Sequence, residues 1–317
     1  MDNQLPARFA SPKPKYRLSN WREYNAALVE RGSLTLWIDE AVIDRWHQVS
    51  GKGSLYHDDA ILCALCLRQV FGLALRQTQG FLRSLASMLD LDVSIPHYST
   101  LSRRAEGLEV CAQTVSPRTS PLCLVIDSTG LKVFGEGEWK VRAHGAGKRR
   151  VWRKLHLGVD ATSGEILAHE LTMNNVHDGQ ILPRLLDQMD GAIDQVCADK
   201  AYDSFSCHRA VLDRHARPVI EPRKGASILP PPKLKDPPLT RGRIVSRIHQ
   251  IGRKAWKIES NYHRRSLAET AMFRFKTIIG PNLRNRNIEN QKTEAAIGVA
   301  ILNRFTAIGM PEAIRVG

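Results

Sequence analysis

LCLVIDSTGLKVF, residues 122–134, opens with a short apolar run that is typical of a buried strand and ends in Asp127. The residues before it, SPRTSP (116–121), contain two prolines and read as a boundary. Residues 35–118 show helical apolar spacing, whereas the residues after the boundary show short strands. We therefore expect two domains, at residues 1–118 and 119–317.

Strands come first in the second domain, and strand–helix units follow. KLHLGVDA (154–161) and EILAHELTM (165–173) read as strands joined by a tight turn, and QVCADK (195–200) is a further apolar strand that meets Asp199. Helices are expected at 178–189, 204–215 and 261–276, and a last strand at 217–222. This is the order of a ribonuclease-H-like α/β fold with a mixed five-stranded sheet. A basic, Pro-rich insertion is expected at about 222–258.

The first domain is expected to be mainly helical and to bind DNA or mediate multimerisation, after an extended arm at residues 1–33. In LDVSIPHYSTLSRRAEGL (91–108), Pro96 interrupts the chain and Ser99 can cap a short helix that carries Arg103 and Arg104. A helix-turn-helix that reads DNA would look like this. An ordinary helical bundle with an exposed arginine pair would look the same.

The net charge of +14 is concentrated in two windows. Residues 132–154 hold eight Lys/Arg against two Glu, and residues 217–257 hold eleven against two acidic residues, whereas residues 155–216 carry four cations against ten carboxylates. Such segregation favours a polyanion as partner. Neither window reads as an amphipathic membrane helix, and no apolar stretch is long enough to span a bilayer, so DNA is preferred over a membrane.

The six cysteines lie mostly in apolar surroundings, as buried reduced thiols do. The N-terminal residues contain no apolar segment of the kind found in secretory signals. Together these features predict a cytosolic protein. HGAGKRR (144–150) does not have the spacing of a phosphate-binding loop, so ATP is not expected as a ligand.

NYHRRSLAETAMFRFK, residues 261–276, places one glutamate among three arginines and one lysine. On a regular helix, Tyr262, Arg265, Glu269 and Lys276 fall within an arc of roughly 60°. A surface helix with an Arg265–Glu269 pair four residues apart would explain the pattern. A functional carboxylate flanked by phosphate-binding cations would explain it too.

Three carboxylates come from separate elements of the expected fold: Asp127, Asp199 and Glu269. Two divalent cations about 4 Å apart need several oxygen ligands, and Mg²⁺ prefers carboxylates. The three residues therefore predict a site for metal-assisted phosphoryl transfer.

The motifs around these carboxylates resemble those of bacterial insertion-sequence DDE transposases of the IS-five group. The Y-(2)-R-(3)-E-(6)-K signature of that group is met by Tyr262, Arg265, Glu269 and Lys276, and VIDSTGLKVFGEGEWK (125–140) and ADKAYDS (198–204) resemble its first two catalytic blocks. The resemblance covers about residues 54–310. It implies that Asp127, Asp199 and Glu269 are catalytic and bind two Mg²⁺ ions per site, for which Mn²⁺ can substitute.

The resemblance further implies that a homodimer or higher multimer binds double-stranded DNA at the terminal inverted repeats, in the bacterial cytoplasm with the nucleoid. Metal-activated water then cleaves the DNA, and the 3′-OH ends are joined to target DNA. A nuclease of the same fold without strand transfer, and a catalytically inert repressor that binds element ends, are the alternatives. Trp139 flanks a basic loop, and it can either stack on bases or belong to the core. The residues expected to contact DNA are Tyr262, Arg265, Lys276, Arg103, Arg104, Lys148, Arg149, Arg150, Arg241, Arg243 and Arg247.

Overall fold

The structure is a computed structural model that describes residues 15–47, 55–110, 121–133, 152–230 and 238–316. Its first two ranges are mainly helical, as the sequence predicted. A short strand β1 (Lys15–Leu18) comes first, and residues 21–30 form a helix rather than the rest of an extended arm. The helices are α1 (Trp21–Glu30), α2 (Glu40–Asp44), α3 (Asp58–Val70), α4 (Leu75–Met88) and α5 (Tyr98–Arg104).

A mixed sheet forms the centre of the second part, which confirms the predicted α/β class. Its strands are β2 (Leu122–Val133), β3 (Trp152–Asp160), β4 (Ile166–Met173), β5 (Ile193–Ala198) and β6 (Arg217–Ile220). They lie in the order β4-β3-β2-β5-β6; β2, β3 and β4 pair antiparallel, whereas β5 lies parallel to both β2 and β6. A two-residue strand, β7 (Asn282–Leu283), extends the sheet by pairing with the end of β2.

Helices cover both faces of this sheet, so its strands are apolar on both sides. One layer consists of α6 (Asp178–Asp187) and α7 (Phe205–Asp213); the other contains α8 (Thr240–Ile251), α9 (Arg253–Glu259), α10 (Ser266–Arg274) and α11 (Ile288–Ile308). Because side chains alternate along a strand, Leu124 and Ile126 of β2 pack with the first layer, and Val125 and Leu131 pack with the second.

Helix α11 also belongs to the core of the N-terminal helices. Its residues Ile297, Ile301 and Phe305 lie in one apolar cluster with Trp37 of the first range and Leu67 of α3. The last strand, β8 (Ala313–Val316), pairs antiparallel with β1. The C-terminal end of the chain is therefore packed against its helical N-terminal part.

The segment after α9 departs from the single helix that the sequence predicted. Asn261 adopts a left-handed conformation, with a φ of 56°, and Tyr262–Arg265 forms a 3-10 turn before α10 begins. A π-helical turn, Phe275–Ile279, then ends the segment. Extrapolation of 3.6 residues per turn from Tyr262 to Lys276 was therefore wrong, and Tyr262 is buried rather than placed on an exposed stripe.

Among the described residues, no helix is both long enough and apolar enough to cross a bilayer.

Candidate active site

Asp127 lies in the middle of β2 rather than at its end, because the strand continues to Val133. Its side chain lies on the same face of the sheet as Val125 and Leu131, towards α10, because alternate residues of a strand share a face. Its Oδ1 accepts the backbone N–H of Ser128 at 2.8 Å, and only 16% of the side chain is exposed.

Asp199 follows β5, the parallel neighbour of β2. Ile126 is paired with Ala198, so Asp127 and Asp199 are the next residues along two adjacent strands. The Asp199 Oδ1 accepts the N–H of Ala201 at 2.8 Å and caps the 3-10 turn Lys200–Tyr202. The apolar strand before each aspartate thus fixes the position of its carboxylate.

Glu269 reaches this site from α10 through Arg265. The Arg265 Nη1 donates to Asp127 Oδ2 at 2.7 Å, and its Nη2 donates to Glu269 Oε1. The pair between residues four apart therefore does form, but it is not an isolated surface pair. The same guanidinium connects α10 to the central strand of the sheet.

The three carboxylates are close enough to influence one another. Burial raises the pKa of Asp127 above its ordinary value, and the negative charges of Asp199 and Glu269 raise it further. The Ser128 N–H and the Arg265 guanidinium act in the opposite direction. The structure thus brings together the three residues that the sequence singled out.

The residues present fit a divalent metal by type and by charge. Carboxylate oxygens are the ligands that Mg²⁺ prefers, and a cation would oppose the burial and, to a smaller extent, the repulsion that raise the pKa of Asp127. Within the described part of the chain, no three His, Cys, Asp or Glu side chains are already arranged to hold a metal ion. Between Asp127 and Glu269 the positive charge is supplied by Arg265.

Asp178 is a fourth carboxylate beside the site. It begins α6, accepts the Ser128 hydroxyl at 3.0 Å, and accepts Lys154 Nζ at 2.9 Å. Burial raises the pKa of Tyr202, and the charges of Asp178, Asp127 and Asp199 add to that effect. Sequence reasoning did not assign Ser128 or Lys154 to the site, although strand alternation puts Ser128 on the α6 face.

Tyr262 does not point outward with Arg265. Its ring is buried against Trp256, with the ring centroids 5.6 Å apart, and its hydroxyl donates to Glu221 Oε2 at 3.1 Å. Lys276 lies half-buried in the π-helical turn. The four signature residues therefore do not form one exposed surface.

The expected DNA contacts in α8 have different surroundings. Arg241 makes two hydrogen bonds, of 2.7 and 3.0 Å, to the fully buried carboxylate of Asp203, so its guanidinium holds α8 to the loop after Asp199. Arg247 pairs with the half-exposed Glu259. Arg243 is exposed.

The two arginines of α5 also differ. Arg104 pairs with Asp58 at the start of α3 and donates to the carbonyl of Tyr56, whereas Arg103 is exposed. His97 rather than Ser99 caps this helix, through its ring nitrogen. A helix–loop–helix arrangement of α4 and α5 is present, and it is compatible with both readings of the sequence. Trp139, Lys148, Arg149 and Arg150 lie outside the described residues.

Comparison with known families gives the class of the protein. Two family models, each described as a transposase DDE domain, match the chain, one over residues 29–136 and the other over residues 118–304. The second match covers more than half of the 317 residues. The chain belongs to the DDE transposase family, and the expectation of a transposase is confirmed at that level.

A solved structure with a distant likeness is the cryo-EM structure of the piggyBac transposase synaptic complex with hairpin DNA. The match covers 88% of this chain and 75% of that chain, with 11% sequence identity and a TM-score of 0.40. Nothing about the site of this chain follows from a likeness at that level.

Proposed function

We propose that the protein is a transposase of the IS-five group that binds the terminal inverted repeats of its element, cleaves there, and joins the 3′-OH ends to target DNA. The observation that carries this proposal is the convergence of Asp127, Asp199 and Glu269. They come from two neighbouring parallel strands and from a helix packed on one face of the sheet, and Arg265 ties two of them together.

The strand order supports a ribonuclease-H-like catalytic domain. If the five main strands are numbered along the chain, their order across the sheet is third, second, first, fourth and fifth. Only the second of them, β3, runs antiparallel to the others. This is the arrangement expected for three antiparallel strands followed by strand–helix units. It places the first and fourth strands side by side, which is what brings Asp127 next to Asp199.

Asp127, Asp199 and Glu269 are the residues that would hold two Mg²⁺ or Mn²⁺ ions. When bound, such a pair activates the attacking oxygen and stabilises the leaving oxygen of an in-line phosphoryl transfer. The chain supplies the ligands in a partly desolvated setting, with Asp127 fixed by Ser128 and Glu269 fixed by Arg265. Cleavage and joining can therefore share one site.

The DNA surface is proposed to combine exposed cations around this site with the two basic windows of the sequence. Arg243 and Arg103 are exposed and can reach phosphates or bases. Arg241 and Arg104 are instead engaged by Asp203 and Asp58. Lys276, the Arg247 side chain and the basic residues 148–150 remain further proposed contacts.

Two alternatives are tested by the same experiment. A nuclease would cleave DNA ends without joining them, and an inert repressor would bind ends without cleaving them. The presence of all three carboxylates, two of them bonded to one guanidinium, disfavours the repressor.

The test uses DNA with a labelled element end, a target plasmid and Mg²⁺. The wild-type protein is expected to give cleaved ends and joined products. Asp199→Asn should bind the end with unchanged affinity and give neither product, because it removes one of the charged ligands. Cleaved ends without joined product would favour the nuclease, and near-normal cleavage by Asp199→Asn would contradict the site assignment.

A further inference from the structure

Glu221 has no role in the predicted catalytic set, yet its position ties it to that set. It lies directly after β6, and its backbone N–H donates to the carbonyl of Ala198, the residue before Asp199, at 3.4 Å. Glu221 is therefore anchored at the edge of the sheet where Asp199 is placed.

Three donors converge on its carboxylate. Arg253 Nη1 and Lys257 Nζ, both from α9, lie 3.0 and 2.9 Å from Oε1, and the Tyr262 hydroxyl donates to Oε2 at 3.1 Å. The Glu221 side chain is 18% exposed, so these interactions are poorly screened by water. Burial opposes ionisation of Glu221, but the hydrogen bonds from Lys257 and Arg253 outweigh it and lower its pKa.

The contact with Tyr262 fixes a turn rather than a surface. The left-handed backbone at Asn261 directs the Tyr262 ring inward against Trp256, where Lys257 Nζ lies 4.9 Å from the ring centroid. A side chain held in this way, with its hydroxyl on Glu221, is not directed at a DNA phosphate.

Arg265 is in the same 3-10 turn as Tyr262. Its guanidinium carbon lies 6.0 Å from the Tyr262 ring centroid and its nitrogens donate to Asp127 and Glu269. A movement of Tyr262 would therefore move the residue that connects the two carboxylates. The contacts form one continuous path from β6 to the catalytic helix.

We propose that Glu221 is a positioning residue that, through the Tyr262 hydroxyl, fixes the turn carrying Arg265 and so holds Glu269 in register with Asp127 and Asp199. This inference rests on the proposed function of the three carboxylates. It assigns the tyrosine of the signature to support of the metal-binding helix rather than to contact with DNA.

The experiment compares Glu221→Gln, Tyr262→Phe and the double variant with wild type. Mn²⁺ affinity is measured on the DNA-free protein from the signal of free Mn²⁺ in electron paramagnetic resonance, and the rate and half-saturating DNA concentration are measured in single-turnover cleavage. Glu170→Gln is the matched control, because Glu170 is similarly shielded, at 22% exposed, and pairs with Arg184 away from this path.

Each single variant should weaken Mn²⁺ binding and slow single-turnover cleavage about 10–100-fold, the range seen when residues that orient metal ligands are changed. The half-saturating DNA concentration should not rise. The double variant should be no worse than the single ones, because both substitutions remove one link. Tyr262→Phe keeps the buried ring, so it decides the question even if Glu221→Gln does not fold.

Wild-type Mn²⁺ affinity and cleavage rate in Tyr262→Phe would overturn the inference. Tighter DNA binding by Glu221→Gln with an unchanged cleavage rate would overturn it as well. Glu221 would then only neutralise Arg253 and Lys257, which would otherwise bind DNA phosphates. The failure of the proposed function itself looks different: there, Asp199→Asn and Glu269→Gln would also retain Mn²⁺ affinity and cleavage.

Discussion

Replacement of Arg265 by glutamine tests how strongly one guanidinium holds the carboxylates together. Arg265 is 21% exposed and lies between Asp127, 16% exposed, and Glu269, 55% exposed. Breaking a buried ion pair on one side costs about 3–5 kcal/mol. The Ser128 N–H still stabilises the Asp127 carboxylate, so we expect about 2–3 kcal/mol from that half. The exposed Glu269 half adds about 0.2–0.5 kcal/mol.

The expected loss is therefore about 2–3 kcal/mol of unfolding free energy, or roughly 3–5 °C in melting temperature for a chain of 317 residues. Denaturant unfolding in the presence of a chelator measures it. Two further results are expected. Addition of Mg²⁺ should reduce the loss of unfolding free energy, because a divalent cation can compensate the unpaired charge of Asp127 and its repulsion by Asp199 and Glu269. Asp127→Asn combined with Arg265→Gln should recover most of the lost stability, because the unpaired charge is then removed.

Arg184→Gln is the control, because it removes an arginine that is 65% exposed from its pair with Glu170. It should cost less than about 1 kcal/mol. A loss of that size for Arg265→Gln, or no recovery when Asp127→Asn is added, would show that Arg265 is a surface residue and that the carboxylates do not depend on it.

Three other predictions concern charge. The pKa of Asp127 is raised in the folded protein, so at pH values between the ordinary and the raised pKa the folded protein binds more protons than the unfolded chain. The stability of the metal-free protein should therefore fall as the pH rises through that range. Asp127→Asn should remove this pH dependence of the unfolding free energy, and an unchanged dependence would show that another group causes it. Arg241→Gln should destabilise the protein by about 2–3 kcal/mol, because it leaves the buried Asp203 carboxylate with the Arg223 backbone N–H but without its ion pair. Arg243→Gln should leave the melting temperature unchanged and reduce the slope of log K against log salt by about 1; equal effects on stability would contradict this division. Arg103→Ala should lose preference for element ends over random DNA in competition binding, and a proportional loss of both affinities would make it a backbone contact.

The central strands and their aspartates could be predicted from the sequence because both signals are local. An apolar run that ends in an aspartate, as in LCLVID, is a short-range pattern, and the order of strands and helices then placed Asp127 beside Asp199. The packing of α11 against α3 is not a local signal. It depends on residues more than 200 positions apart, such as Leu67 and Ile301, which belong to one apolar cluster.

The orientation of Tyr262 could not be predicted for a different physical reason. The segment NYHRRSLAETAMFRFK contains neither Gly nor Pro, so a continuous helix is the simplest expectation from the sequence. The left-handed Asn261 and the hydroxyl contact with Glu221, 41 residues earlier, override that local preference. Arg241 is expected from the sequence to contact DNA because it lies in a basic window. Its pairing with the buried Asp203 could not be predicted, because Asp203 belongs to another element, 38 residues earlier.

The most direct test of the account is single-turnover cleavage of element-end DNA in Mg²⁺ by Glu269→Gln. The control is Glu289→Gln, the same substitution at an exposed glutamate on α11 that pairs with Lys292. Both variants should fold and bind the DNA end. The account predicts that Glu289→Gln cleaves at the wild-type rate and that Glu269→Gln loses cleavage and joining together; cleavage by Glu269→Gln near the wild-type rate would contradict it.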